Sequence, residues 1–169
     1  MTQAQTIDTN YFHTTLESVL NEVCQATDWL MGEAWVPNPQ RSVLECSPAC
    51  YISPKISTYS VERFRLLSEK LTFNPGVGLP GRVWSSKKPE WDVDVSMLPQ
   101  TTYIRNQLAQ EAGLRAGLGT PIIVNGEVLA VLVFYMTKSC EQDERMIKLI
   151  SFFLSLSYHQ PHAVQSAVN

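Results

Sequence analysis

Apolar residues recur along the chain in alternating periods, and the changes of period mark out its elements. Phe12, Leu16, Val19, Leu20 and Val23 follow the helical spacing i, i+4, i+7, i+8, i+11, with His13, Glu17, Asn21 and Glu22 on the wet side. Trp29 to Val36 reads as a strand stopped by Pro37 and Pro39, and Ser42–Cys46 with Cys50–Ile52 as a second one interrupted at Ser47 and Pro48. The short Asn-Pro-Gln turn between them predicts a hairpin. Val61, Phe64, Leu67 and Leu71 return to helical spacing. Phe73 to Gly81 is expected to be loop, followed by a short helix through Arg82 and Trp84 that must end before Pro89.

A short strand is expected at Trp91–Val95, and a helix at Tyr103–Ala112, ended by Gly113. Leu118–Val124 and Val128–Met136 are two β-branched runs joined by Asn125-Gly126, the strongest short-range hairpin signal. Glu141–Tyr158 closes the series as a helix. Its polar residues Glu144, Lys148, Ser151 and Ser155 form one narrow face, and Met146, Ile147, Leu149, Ile150, Phe152, Phe153, Leu154 and Leu156 fill the rest. A helix packed on one sheet needs an apolar arc of ~100°, so the surplus calls for a second cover, from the first helix or a second chain. Hairpin-linked strands with interspersed helices predict an α+β fold built on an antiparallel sheet.

Composition narrows the function classes. The 169 residues suit one domain, with 44% hydrophobic and 17% charged residues. Thirteen basic against 16 acidic residues give a net charge of −3, which argues against an electrostatic nucleic-acid binder. No signal peptide pattern opens the chain, and its longest apolar run, the nine residues Val128–Met136, is short of the ~20 a membrane span needs. Four cysteines (Cys24, Cys46, Cys50 and Cys140) are too few for a disulfide framework, and a reducing cytoplasmic setting is expected.

Gly76-x-Gly78-x-x-Gly81 matches a dinucleotide fingerprint in letters only, because Pro80 interrupts it and no parallel crossover follows. Arg82 and Val83 stand where a phosphate loop needs lysine and a hydroxyl. Cys46-x-x-x-Cys50 is a single pair, whereas structural zinc wants four ligands, so no metal site is expected. Asp92 and Asp94 lie two apart, but lack further acidic neighbours, and Asp94 suits capping the next helix or bonding a ligand. No catalytic residue stands out. Trp35, Trp84, Trp91 and Tyr103 have the amphipathic character of cavity linings, with core packing as the alternative.

Taken in order, Phe73-x-Pro75-Gly76-x-Gly78-Leu79-Pro80-Gly81-Arg82-Val83-Trp84-x-Ser86, Pro89-x-Trp91-x-x-Asp94, Ala112-Gly113-Leu114, Gly119-x-Pro121-Ile122 and Gly126–Phe134 resemble a GAF domain. The resemblance covers about Leu16–Met136. It implies a five- or six-stranded antiparallel sheet, with the N- and C-terminal helices on one face and a ligand-type cavity on the other. It divides the chain into a polar tail at 1–10, a single domain at 11–158 and a polar tail at 159–169. It also implies a non-enzymatic sensory or regulatory module that binds an unidentified small molecule or dimerises through its terminal helices. Such modules occur in sensor kinases, cyclases, phosphodiesterases and transcription regulators. The expected ligand-binding residues are Trp35, Trp84, Trp91, Asp94, Tyr103 and Arg105, with no particular cofactor indicated. Tyr103–Gln110 lacks the Cys-His pair of bilin-attaching relatives, so covalent chromophore attachment is not expected. The alternative is a cysteine-based redox sensor, or an enzyme like free methionine sulfoxide reductase, using Cys46, Cys50 and Cys140.

Overall fold

The computed structural model describes residues 3–158. The elements run α1 (Gln3–Ala26), β1 (Met31–Asn38), β2 (Val43–Ile52), α2 (Tyr59–Ser68), β3 (Thr72–Phe73), α3 (Gly78–Ser86), β4 (Glu90–Asp92), α4 (Asn106–Ala112), β5 (Gly117–Val124), β6 (Glu127–Tyr135) and α5 (Glu144–Tyr158). A 3₁₀ turn, Val95–Met97, lies between β4 and α4. All strand pairs are antiparallel, in one six-stranded sheet of order β3-β2-β1-β6-β5-β4. This is the expected α+β architecture.

The two-residue side-chain period divides the sheet's faces. Ala34 on β1 and Ala130, Leu132 and Phe134 on β6 face α1 and α5, packing with Leu16, Leu20, Ile150 and Leu154. Met31, Trp35, Val131, Val133 and Tyr135 face the opposite way, into a second core with Phe64 of α2, Leu79 and Val83 of α3 and Ala109 of α4. Terminal helices therefore cover one face and the three shorter helices the other.

Local chemistry explains the boundaries. Asn125 and Gly126, at φ 51° and 79°, make the β5–β6 turn. Thr58 caps α2 by accepting from the Val61 amide. β2 runs on through Ser47 and Pro48, its extra residues absorbed by a bulge: Glu33 pairs with Cys50 and Trp35 with Cys46, so Ser47, Pro48 and Ala49 oppose Ala34 alone.

Several boundaries differ from the sequence reading. β1 spans Met31–Asn38, running on through Pro37, and α4 and α5 begin three residues late, at Asn106 and Glu144. α1 starts at Gln3, within the segment expected as a tail, whereas the expected tail at 159–169 lies outside the described residues. The expected loop Phe73–Gly81 is helical from Gly78, because Pro80 falls in the first turn of α3, where its missing N–H costs no hydrogen bond. A Cβ on Gly81 would run into the Asn74 carbonyl oxygen, so this glycine serves close packing, whereas Gly76, at φ 78° with open space around it, serves the turn. Val95 belongs to the 3₁₀ turn, not to β4, because Asp94 has already turned the chain. Among the described residues no helix is long and apolar enough to cross a membrane.

Candidate functional site

Glu33 is a carboxylate in the middle of a buried strand. On β1 it shares its face with Met31 and Trp35, and Tyr135 on β6 is its diagonal neighbour on that face, one pair along from Val133. Its charge is met by Arg105, which reaches in from the residue before α4. Arg105 Nη1 stands 2.8 Å from Glu33 Oε1, the two side chains being 1% and 0% exposed. Nη1 also donates to Ser68 Oγ at 2.8 Å, and Nη2 to the Tyr135 hydroxyl at 2.8 Å. Tyr135 donates to Glu33 Oε1 at 3.2 Å, as does Trp35 Nε1, and the Tyr103 and Tyr135 hydroxyls meet at 2.7 Å.

Five aromatic rings enclose the guanidinium: those of Trp35, Phe64, Phe73, Tyr103 and Tyr135. Burial opposes the charge on Arg105, but Glu33 and the two tyrosines more than compensate, so its pKa is raised and it stays a cation. Burial drives the Tyr103 and Tyr135 hydroxyls upward, so both are neutral donors near neutral pH.

The expected ligand-binding residues divide into three groups. Trp35, Tyr103 and Arg105 come together in this cage, in the place expected for the cavity. Trp84 is half-buried at the rim of the same core. Trp91 and Asp94 are elsewhere. Trp91 lies on the terminal-helix face, edge-on to Trp29 at 5.2 Å, its indole donating to the Cys140 carbonyl. Asp94 accepts from the Ser96 amide and from the Ser96 and Ser139 hydroxyls. Burial works against its charge, but those bonds outweigh it and hold the carboxyl below its usual range.

Sequence reasoning missed Glu33, Tyr135, Ser68 and Phe64. A lone acid inside the apolar run Leu30–Val36 is the signal that marks Glu33. Two surface clefts of about 230 and 270 Å³ lie apart from the cage. One is beside β5 and α5 at Thr120, Ile122 and Ser151, and the other is near Thr27, Lys55 and Thr137.

The thiols do not converge. Cys46 and Cys50 pack with the α2–α4 layer, Cys24 and Cys140 with the terminal-helix layer, and all four are free. Arg65 donates to Cys46 Sγ at 3.2 Å and to the Ser47 carbonyl. Burial nonetheless pushes the Cys24 and Cys46 thiols up to about 12 and Cys50 to about 11. Among the described residues no three His, Cys, Asp or Glu side chains cluster as metal ligands.

The family described as GAF domain matches residues 11–156. Protein NLP2 of Arabidopsis thaliana is 32% identical over 116 residues, which is 63% of this chain and 12% of that protein. This chain thus spans only a small part of the curated relatives it matches. Among solved structures, the GAF domain region of a Geobacter sulfurreducens putative membrane protein superposes with a TM-score of 0.68 at 13% identity. That superposition covers 97% of this chain and 99% of the other. A type II free methionine-R-sulfoxide reductase from Thermoplasma acidophilum superposes with a TM-score of 0.62 at 11% identity, covering 89% and 92%. Likeness at these identities concerns the fold.

Proposed function

The chain belongs to the GAF domain family, and from that premise we propose that it is a non-enzymatic regulatory module, sensing a small molecule and signalling through its terminal helices as a cytoplasmic homodimer. The observation that carries this reading is the double use of β1 and β6. The strands that hold Glu33, Trp35 and Tyr135 on one face support α1 and α5 on the other through Ala34, Leu132 and Phe134. A shift of either strand is felt by both layers, because close-packed interiors transmit displacement. A ligand moves such a system only by its differential affinity for the two states.

The dimer part rests on α5. Leu149, Phe152 and Leu156 recur at i, i+3 and i+7 and are 57%, 63% and 54% exposed, whereas Ile150 and Leu154 are the buried residues of α5. Sequence surplus and structural exposure therefore fall on one stripe, suited to a second copy of the same helix.

Size-exclusion chromatography with light scattering tests this. The wild type is expected at twice the chain mass and Phe152→Glu at the chain mass, with little change in melting temperature. A monomeric wild type at high concentration overturns the dimer. The reductase likeness favours no enzymatic reading, since Cys140 lies in the opposite layer from Cys46 and Cys50; no turnover of methionine sulfoxide with a thiol donor is expected.

A further inference from the structure

The Arg105 guanidinium carbon lies 4.7 Å from the centroid of Phe64, 5.3 Å from Trp35, 5.4 Å from Tyr103, 5.9 Å from Phe73 and 6.0 Å from Tyr135. Rings gathered around one positive charge attract it through their quadrupoles, and this arrangement is a general device for recognising cationic ligands. Here the cage also has a carboxylate, Glu33, held ready by hydrogen bonds from Trp35 and Tyr135. Stability alone does not ask for this arrangement, because well-packed apolar residues commonly do as well as a buried ion pair.

The guanidinium fills the cage imperfectly. Both of its contacts to Glu33 run through Nη1, at 2.8 and 3.1 Å, and the buried Nε has no hydrogen-bond partner. A fork presenting two N–H groups to the two carboxylate oxygens is the stronger geometry. Arg105 is kept from it by its tether, since its backbone is fixed as the residue preceding α4. A free guanidinium has no such constraint.

The tether is held mainly from outside the sheet. α4 has seven residues and packs chiefly on α2 and the 3₁₀ turn, with the Arg63–Glu111 ion pair linking it to α2 and Ala109 reaching the core. Met97 and Ile104, which flank the approach to it, are exposed. Tyr103 and Arg105 are the large buried polar side chains by which this segment reaches the sheet's site, with Ala109 and Leu114 in the apolar core beside them.

The geometry points to a cation-recognition site that the chain occupies in cis with Arg105, and that a small molecule bearing a guanidinium group enters by displacing that side chain and loosening α4. This inference rests on the sensory reading above and names its ligand class. Glu33 balances one cation at a time, so tethered and free guanidinium exclude each other. The position of α4 then reports occupancy. A short tether acts as a competitor at roughly millimolar effective concentration, so a weak free ligand must exceed that range and a tight one need not.

The test uses the full chain and methylguanidinium as probe, with methylurea as a neutral molecule of the same shape. Arg105→Ala, in which no tethered guanidinium competes, is expected to melt several degrees higher in about 10 mM methylguanidinium. Methylurea is expected to have no effect, and adding Glu33→Gln to abolish the response. A folded Arg105→Ala variant that ignores methylguanidinium, or answers methylurea equally, overturns the proposal.

Because that variant leaves Glu33 buried and unpaired, the wild type provides a second measurement. Its Arg105 Nε–H nuclear magnetic resonance signal is expected to move to the position of a solvated arginine as methylguanidinium, but not methylurea, is raised. A signal that stays fixed overturns the proposal whatever the variant does. Neither result touches dimer mass or the absence of methionine sulfoxide turnover, so the wider reading stands or falls separately.

Discussion

Glu33 and Arg105, 72 residues apart in sequence, meet at 2.8 Å inside the sheet's α2–α4 layer, with the two side chains 0% and 1% exposed. Removing one charge strands the other in a medium that solvates it poorly. Glu33→Gln is therefore expected to lower the unfolding free energy by about 3–5 kcal/mol. Urea titration of Glu33→Gln, Arg105→Met and the double variant checks this, and the double variant is expected to lose less than the two single losses added together. Strict additivity would show that the pair does not act as a unit.

The buried thiols predict a pH dependence of stability with a definite sign. Folding raises the Cys24 and Cys46 thiols from 9.0 to about 12 and Cys50 from 9.0 to about 11, chiefly by burial. The unfolded chain then releases these protons first, so their stabilisation is complete below pH 9 and lost as pH rises through the folded values. Urea midpoints at pH 8, 9.5 and 10.5 are expected to fall steadily in the wild type. Cys46→Ala/Cys50→Ala is expected to fall less steeply, and an equal slope would show that these thiols do not carry the effect.

Cys46 and Cys50 are partly exposed, as Cys140 is, but with thiols pushed up to about 12 and 11 they stay protonated at pH 8 and are poor nucleophiles, and Cys24 is buried. Cys140 is partly exposed beyond β4, hydrogen-bonding through its thiol to the neighbouring Glu141 carbonyl. At pH 8 a disulfide reagent is expected to modify Cys140 in a fast phase, with Cys24, Cys46 and Cys50 reacting only as the chain opens. Cys140→Ser is expected to abolish that phase. Fast modification of Cys46 and Cys50 in the native state would revive the redox alternative.

Most of the fold was legible because its strands repeat at two and its helices at three to four. The Asn125-Gly126 turn, the Gly113 helix end and the surplus apolar arc of α5 were each read from local chemistry and recur in the structure. The site was less legible. Trp35, Tyr103 and Arg105 were named, but Glu33 was absorbed into a strand pattern, because periodicity averages over one charge. Trp91 shares with Trp35 the amphipathic ring of a cavity lining, and ring chemistry does not say which face of the sheet it takes. Register decides the face, and Trp91 pairs with Leu118, a residue of the terminal-helix core. Asp94 served the capping role that the sequence offered alongside ligand binding, and the neighbours that fix the choice, Ser96 and Ser139, include one 45 residues away.

Close approach between α3 and β5 gives a prediction about shape rather than charge. A Cβ on Gly119 would lie 2.8 Å from Val83 Cγ2 and 3.2 Å from Leu79 Cδ1, both side chains fully buried. Neither is the free end of a mobile chain, so α3 itself must shift. Overpacking of this kind costs about 1–3 kcal/mol, and Gly119→Ala is expected to unfold at correspondingly lower urea. Val83→Ala removes the methyl groups in the way and, in the Gly119→Ala background, is expected to cost less than in the wild type. That sign matters because α3 and the cage share one core, with Leu79 and Val83 packed alongside Trp35 and Tyr135. A shift of α3 is then expected to change the fluorescence of Trp84 on α3, at the rim of that core, and a spectrum unchanged in Gly119→Ala would show that helix and cage move independently.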